Sequence, residues 1–425
     1  MFAGLHKDIM DTLHDINIHL ENKKESRHFF VFLWIMYALV YMTKNCFSSA
    51  MASIVAEGVF TKSQVGLITS LFYLVYAPFQ IFGGFVADKK SPEMLIKIGL
   101  IGGGISNLVI FFNQNYYVIL VSWVFNGIVQ FALWPSVFKI VSSQLVRSDR
   151  GNNVFLITLA SSGGLVIAFL IAAIIPKWQY TFAVSSATLF LLALILHLYC
   201  KHLDPYMKKD YDVPAKAEGV KHSNISNVKL FLMSGFFVLL PTVLMREIVN
   251  QGSKTMSPTM LMESYAGVSD SIGNLLNILI ILAGILGTFL IKFVFFGRII
   301  KNEVTGLCAL LTFAVPFAAV LIFVGDIPVW LAVLCFCCIS TAITGSSLLQ
   351  SYYNVLFTRY GKNGTVAGIA NAAASAGIVI QSYGLMSVSE NFGWSAVSVV
   401  LTSLLVLSAL LVALAIIPSK KFKRG

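Results

Sequence analysis

A lysine and an asparagine interrupt the first long apolar run of this chain. Lys44 and Asn45 stand in the segment LVYMTKNCFSSAM, inside a run that extends from about residue 29 to residue 55. A charged side chain in the middle of a bilayer is costly, so residues of this kind usually face a cavity and mark a transport pathway. Lys44 is therefore a candidate for binding a solute. The alternative is that its ammonium group pairs with a buried carboxylate.

A second cation stands in the segment LLPTVLMREIVNQGSK, in the other half of the chain. We expect Pro241 to break the helix close to Arg246, and an interrupted span in the second half of a carrier often marks its binding site. Together Arg246 and Lys44 predict an anionic ligand, because charged donors bind phosphate and carboxylate groups strongly. Glu247 is the only acid well inside an apolar run, and it leaves two alternatives open. Arg246 could simply neutralise Glu247, or Glu247 could couple transport to a proton.

Other kinds of chemistry have little support in the sequence. No paired carboxylates, metal-ligand cluster or nucleophile with a neighbouring base falls within one apolar run, so we expect no enzyme, no metal site and no cofactor. The cysteines lie in or beside apolar runs without a histidine at ligand spacing, which indicates packing. They are Cys46, Cys200, Cys308, Cys335, Cys337 and Cys338. No basic patch is interleaved with exposed aromatic residues, so nucleic acid is not an expected partner.

Apolar residues dominate the composition far beyond the level of soluble domains. Of the 425 residues, 57% are hydrophobic, 12% are charged and 33 are phenylalanines, whereas soluble domains are about half apolar and a quarter charged. A spanning helix needs about 20 mainly apolar residues, and continuous runs of that length favour helices over barrel strands. We predict an all-α membrane protein with twelve transmembrane helices. The predicted spans are 29–55, 63–86, 94–113, 116–143, 152–175, 180–199, 228–250, 271–296, 304–325, 328–356, 364–388 and 393–417.

Lysine and arginine are distributed unevenly between the predicted loops. Basic residues in short loops favour the cytoplasmic side, so we expect a multi-pass protein of the inner or plasma membrane with both termini in the cytoplasm. Residues 1–28 are polar and show no cleavable signal sequence. The predicted outer loops hold little basic charge beyond Lys62, Lys177 and Lys254. This topology, together with anionic lipid, accounts for the net charge of +11.

The longest polar interruption divides the chain into two halves of six predicted spans each. We predict a cytoplasmic N-terminal segment (1–28), a six-helix bundle (29–199), a cytoplasmic linker (200–227), a second six-helix bundle (228–417) and a basic tail (418–425). Two similar helical halves are typical of transporters that rock one bundle against the other around a midplane site. The organisation of the chain therefore indicates a carrier.

A glycine-rich segment with an acid, FGGFVADKKSPE, follows the second span. Gly83 and Gly84 allow a close helix approach, and Asp88 and Lys89 stand at the predicted cytoplasmic end. The segment resembles the Gly-x-x-x-Asp-Arg/Lys loop that carriers of the major facilitator superfamily place between their second and third spans. The resemblance implies that Asp88, with Lys89 beside it, stabilises one state of the gate.

A narrower resemblance lies in span four, in NGIVQFALWPSVFKI. It is similar to the Asn-Gly-x-x-Gln-x-x-Gly-Trp-Pro pattern of the organophosphate:phosphate antiporters, with Leu133 in place of the second glycine. The segments YMTKNCF, KWQYTF and SPTML agree with the same subfamily, so the resemblance extends from about residue 37 to about residue 390. The matching residues of span four are Asn126, Gly127, Gln130, Trp134 and Pro135.

The resemblance assigns candidate substrate contacts in each half. The first substrate-binding arginine of the antiporters falls on Thr43, which leaves Lys44 and Asn45 as the matching residues. Their second arginine falls on Arg246 or on Asn250, depending on which neighbouring segment is aligned. These two positions are one turn apart on one helix face.

Three further positions follow from the same resemblance. Gln80 falls where the glycerol-3-phosphate transporter has a pathway lysine, which implies weaker attraction for an anion. Trp134 joins the candidate substrate contacts through the span-four motif. Lys139 matches a basic position close to the cytoplasmic end, which implies a role in gating.

The expected function is secondary active transport of a small anionic solute by alternating access, with organophosphate:phosphate exchange as one form of it. Two alternatives stay open. One is a carrier of small carboxylates or neutral solutes on the same fold, and the other is a transporter-like sensor of sugar phosphate, a role that some members of the subfamily have. The expected partners are the solute and the lipid bilayer, and a monomer is the family default.

Overall fold

The computed structural model describes residues 17–146, 148–175, 177–210, 227–295, 297–360 and 363–424, apart from some side chains within these ranges. Almost all of this backbone is helical. Helices suit a bilayer because they satisfy their own backbone N–H and C=O groups, which hydrocarbon cannot do. Among the described residues, nine helical stretches are long and apolar enough to cross a membrane. The predicted fold class, an all-helical membrane protein, is confirmed.

Among the described residues, eight α-helices begin before residue 200 and eight begin at residue 227 or later. The first eight are α1 Lys23–Lys44, α2 Cys46–Ala56, α3 Lys62–Lys89, α4 Pro92–Phe112, α5 Tyr116–Val129, α6 Leu133–Lys139, α7 Arg150–Ile174 and α8 Trp178–Leu203. The second eight are α9 Asn227–Ser234, α10 Phe236–Gln251, α11 Ser257–Ser264, α12 Asp270–Leu290, α13 Glu303–Val320, α14 Val329–Val355, α15 Asn363–Ile380 and α16 Met386–Arg424.

By their internal contacts the helices form two compact units. Unit 1 consists of Met1–Asn45, Val75–Ile167 and Gln179–Glu218. Unit 2 consists of Cys46–Leu74, Ala168–Trp178 and Gly219–Gly425. The two six-helix bundles divided at residues 200–227 stay a prediction.

Unit 1 contains a short antiparallel strand pair that the sequence did not indicate. Strand β1, Asn17–Leu20, pairs with β2, Met207–Asp210, and Leu20 lies opposite Met207. These strands lie in the predicted N-terminal segment and linker. Leu20 is almost fully buried and belongs to the apolar core of the unit.

Several predicted spans are helical but broken at polar or glycine residues. Asn45 ends α1 and donates from its side chain to the carbonyl of Tyr41, at 2.7 Å. Gln130 follows α5 and donates to the side-chain oxygen of Asn126, at 2.6 Å. Gly235 separates α9 from α10 with a φ of 78°, a backbone conformation that favours glycine.

The seventh span departs most from its prediction of 228–250. Helix α10 runs through Pro241 unbroken, so the expected break at that proline is wrong. The helix then continues through a π-helical segment, Gly252–Met256, into α11. Ser253 and Thr255 donate to backbone carbonyls of the preceding turn, at 3.1 and 2.8 Å. Their hydroxyl groups therefore have hydrogen-bond partners although the helix is buried.

Small residues let helices approach closely in both units. In unit 2, a Cβ added at Gly284 would lie 2.6 Å from the Ser340 Oγ, and Thr341 donates to the Ala283 carbonyl at 3.0 Å. Helices α12 and α14 pack through these residues. In unit 1, a Cβ at Gly83 would lie 2.5 Å from the Phe131 carbonyl oxygen, as expected from the glycine-rich segment.

We predict that Gly164→Ala destabilises the protein. A Cβ at Gly164 would overlap the carbonyl oxygen of Ala38 and lie 2.6 Å from the Tyr41 Cβ. Overpacking of this kind costs about 1–3 kcal/mol. The melting temperature of the purified protein in detergent should fall.

The control for that variant is Gly368→Ala, the same change at a helical glycine with no described atom within 4 Å of the added Cβ. It should leave the melting temperature unchanged or raise it, since alanine is the better helix former by up to about 1 kcal/mol. Equal melting temperatures for the two variants would contradict the close contact at Gly164.

Candidate functional site

The Lys44 side chain is buried at the end of α1, with 4% of its surface exposed. Its ammonium nitrogen donates to the Tyr76 hydroxyl at 3.2 Å and lies 4.3 Å from the centroid of the same ring. The Tyr41 ring centroid is 5.5 Å away. Two aromatic faces therefore stabilise the cation. Among the described residues, no carboxylate lies at ion-pair distance from Lys44.

The neighbours of Lys44 fall into two groups. Gln80 donates to the Tyr76 hydroxyl at 3.3 Å, so Lys44, Tyr76 and Gln80 form one chain of contacts. The Thr43 hydroxyl and the Asn45 amide donate instead to carbonyls of their own helix. The structure thus brings Lys44 and Gln80 together, whereas Thr43 and Asn45 bond to the backbone. Sequence reasoning missed Tyr76, which lies one turn before Gln80 on the same face.

The span-four candidates Trp134 and Lys139 both contact other residues of the protein. Trp134 packs its ring 4.9 Å from that of Tyr37 and 5.7 Å from that of Phe138. Lys139 donates to the Ala87 carbonyl at 2.6 Å, in the last turn of α3. A cation at the C-terminal end of a helix interacts favourably with the helix dipole.

The gating candidates Asp88 and Lys89 belong to the last turn of α3 by their backbone. Their side chains lie outside the described part of the structure. Their assignment to a gate stays a prediction.

Arg246 is buried in α10, with 6% of its surface exposed. Its Nε–H has no hydrogen-bond partner among the described residues, and the described part of unit 2 places no carboxylate within ion-pair distance of the guanidinium. Glu247 accepts instead from the side-chain amides of Asn250, at 3.0 Å, and Gln251, at 2.9 Å. Among the described contacts, Arg246 and Glu247 therefore do not form the direct ion pair that was the alternative interpretation.

A third buried cation is Lys254, which the sequence analysis placed in an outer loop. That placement is wrong, because Lys254 lies in the π-helical segment and only 8% of its surface is exposed. Its ammonium donates to the Thr344 Oγ1 at 3.0 Å. Asn277 donates to the Lys254 carbonyl at 2.7 Å and accepts from the Ser257 hydroxyl at 2.8 Å, so α12 supports this segment.

Nitrogen-bearing side chains recur along this helix at a spacing of four. Arg246, Asn250 and Lys254 are each four residues apart, and the two cations are separated by about 12 Å of helix rise. The Asn250 side-chain oxygen is buried without a hydrogen-bond partner among the described residues. This spacing was the available signal for Lys254, but the Ser- and Thr-rich segment around it resembled a loop.

The charges of these residues do not balance. Unit 1 holds the buried cation Lys44, and unit 2 holds the buried cations Arg246 and Lys254, with the carboxylate of Glu247 beside Arg246 in the sequence. Buried charge without a partner is unfavourable, and a bound anion would offset that cost. Among the described residues, no three His, Cys, Asp or Glu side chains lie close enough together to hold a metal ion.

Comparison with known proteins finds partial similarity to a membrane sensor protein and to probable hexose phosphate transport proteins. The chain is 32% identical over 148 residues to the membrane sensor protein UhpC of Escherichia coli (strain K12). These residues cover 35% of this chain and 34% of that protein. It is 30% identical over 122 residues to a probable hexose phosphate transport protein of Chlamydia trachomatis serovar D, 29% of this chain and 27% of that protein. The chain thus matches about a third or less of the length of these relatives.

Solved structures match over nearly the whole chain, at low identity. A bacterial homolog of the human lysosomal transporter Spinster has a TM-score of 0.72 and 16% identity, with 95% of this chain and 98% of that chain covered. The D-xylose-proton symporter has a TM-score of 0.70 and 15% identity, with 92% and 97% covered. These likenesses establish the fold. The model of the Major Facilitator Superfamily matches residues 33–382, and the chain therefore belongs to this family of membrane transporters.

Proposed function

We propose that this transporter carries a small organic anion and that a phosphate ester, exchanged for inorganic phosphate, is its substrate. The observation that carries the proposal is the set of buried cations without paired carboxylates: Lys44, Arg246 and Lys254. An anion would supply the missing negative charge in a medium of low dielectric constant, where each charged contact is strong. A neutral solute would leave these charges uncompensated.

Phosphate is favoured over other anions by the chemistry of the donors and by the relatives. A guanidinium such as that of Arg246 matches the geometry of phosphate oxygens and donates to two of them at once. Proteins with partial similarity to the chain are named as hexose phosphate transporters. The resemblance to the antiporters implies that Thr43 and Gln80 stand where those proteins have basic residues. A small carboxylate would fit the same cations with fewer hydrogen bonds.

A sensor of sugar phosphate is the second candidate. Two relatives of the chain are named as membrane sensor protein UhpC. A sensor would bind the same anion at the same cations without moving it across the membrane. Binding without flux would therefore assign the chain to this class.

Two finer features belong to the same proposal. The distribution of basic residues supports a topology in which both chain termini lie in the cytoplasm. Glu247, bonded to the amides of Asn250 and Gln251, is the candidate acid for proton coupling. Simple exchange of anions needs no such acid. Replacement of Glu247 therefore distinguishes proton-coupled transport, which would be lost, from anion exchange, which would remain.

Exchange of radiolabelled phosphate should be measurable in proteoliposomes loaded with phosphate. We expect one class of phosphate ester to inhibit this exchange from outside, while the parent alcohols and sugars do not. Carboxylates serve as the second arm of the competitor panel. Exchange inhibited by carboxylates alone would contradict the assignment to phosphate esters, and exchange inhibited by neutral sugars would contradict an anionic substrate.

Lys44→Gln and Arg246→Gln should each reduce anion transport at least tenfold while the protein still folds. A hydrogen bond to a charged group contributes about 1.5–3 kcal/mol, which corresponds to this loss or more. Lys177→Gln and Arg298→Gln are matched controls, because both residues are exposed. Normal transport by both test variants would contradict the role proposed for these two buried cations.

Lys254→Gln should raise the KM for the anion at least several-fold. Thr344→Val removes the hydroxyl that accepts from Lys254 but leaves the cation, and Lys254→Arg keeps the charge. If Lys254 acts on the substrate, these two variants retain a KM close to that of the parent protein. If its role is only the contact with Thr344, Lys254→Gln and Thr344→Val should have equal effects, which would contradict the proposal for this residue.

A further inference from the structure

An open groove of about 750 Å³ lies in unit 1, along the first three turns of α1. It combines basic side chains at one end with apolar ones at the other. The substrate candidates described above do not line it. Its lining residues are Lys23, Lys24, Arg27, His28, Val31, Phe32, Ile35 and Tyr199.

The basic end of the groove is open to an anion. Lys23, Lys24 and Arg27 are exposed, and their side chains make no ion pair with any residue that the structure describes. Two acids are close in sequence, but neither lines the groove. Glu25 is mostly buried and faces His202 at 3.7 Å, and Glu21 precedes the helix.

The apolar end continues from the basic end along one face of the helix. Arg27, Val31 and Ile35 are spaced four residues apart, which places them in a row about 12 Å long. Val31 is 48% exposed and Ile35 is 46% exposed. Phe32 and Tyr199 stack their rings 5.3 Å apart and form a rigid wall beside this row.

We propose that this groove binds an anionic phospholipid. The headgroup phosphate is held by Lys23, Lys24 and Arg27, where charged donors satisfy its oxygens. One acyl chain lies along Val31 and Ile35, against the Phe32 and Tyr199 rings. A basic cluster directly beside a membrane-spanning helix is the arrangement that attracts anionic lipids of the cytoplasmic leaflet. A soluble anion would use the basic end alone and leave the apolar row uncovered. This lipid site does not depend on the identity of the transported solute.

Native mass spectrometry of the full-length protein, titrated with phosphatidylglycerol, tests the proposal. We expect the double variant Lys23→Gln, Arg27→Gln to bind the lipid at least tenfold more weakly, since each basic residue near a membrane surface contributes about a factor of five. The control is Arg298→Gln, Lys301→Gln, which removes two exposed cations elsewhere. Phosphatidylcholine should bind the parent protein much more weakly than phosphatidylglycerol.

Two further arms distinguish a lipid from a soluble anion. Inorganic phosphate at millimolar concentration should not displace the bound phosphatidylglycerol, whereas Val31→Gln, Ile35→Gln should weaken its binding. Displacement by phosphate, or no effect of the apolar double variant, would assign the groove to soluble anions and overturn the proposal. If the Lys23, Arg27 variant and the Arg298, Lys301 variant lose equal affinity for phosphatidylglycerol, the binding reflects general surface charge. That result would also overturn the proposal.

Discussion

In the part of the chain that the structure describes, three cations are buried without a carboxylate at ion-pair distance, and this unbalanced charge is the constraint on which the proposed function depends. Burial of a cation in a medium of low dielectric constant is unfavourable unless something compensates for it. Two tyrosine rings lie near the Lys44 ammonium, one hydroxyl accepts from Lys254, and the Arg246 Nε–H has no hydrogen-bond partner among the described residues. A chain under selection for stability alone would not need these three side chains. A ligand that brings negative charge would compensate for them.

Two of the three buried cations, Lys44 and Lys254, lie at local departures from regular helical geometry. Asn45 ends α1 directly after Lys44, and its amide bonds back to the Tyr41 carbonyl. Lys254 lies in a π-helical segment, and Asn277 bonds to its carbonyl from the neighbouring helix. π-Helical turns are rare and frequently mark functional sites. The irregular backbone and the buried charges therefore coincide in both units.

The sequence predicted the class of fold and part of the site. The physical basis of those predictions also explains which residues were missed. Apolar runs about 20 residues long identify helices because hydrocarbon admits little else, and Lys44 and Arg246 stood out as charges within such runs. Lys254 was missed because serine and threonine, which bond back to their own helix, made its segment look like a loop. Tyr76 was missed because an aromatic residue in an apolar span carries no signal of its own. The strand pair β1 and β2 joins residues far apart in the sequence, and local patterns do not report such pairing.

The most direct measurement is the melting temperature of the purified protein with matched charged and neutral ligands. A ligand that binds only the folded state at 100 times its Kd stabilises it by about 2.7 kcal/mol. We expect a hexose phosphate to raise the melting temperature, the same hexose without phosphate to have no effect, and Lys44→Gln and Arg246→Gln to lose the response. This result is independent of whether the protein transports its ligand or senses it. An equal rise with the neutral hexose, or an undiminished rise in both variants, would contradict the role proposed for the buried cations.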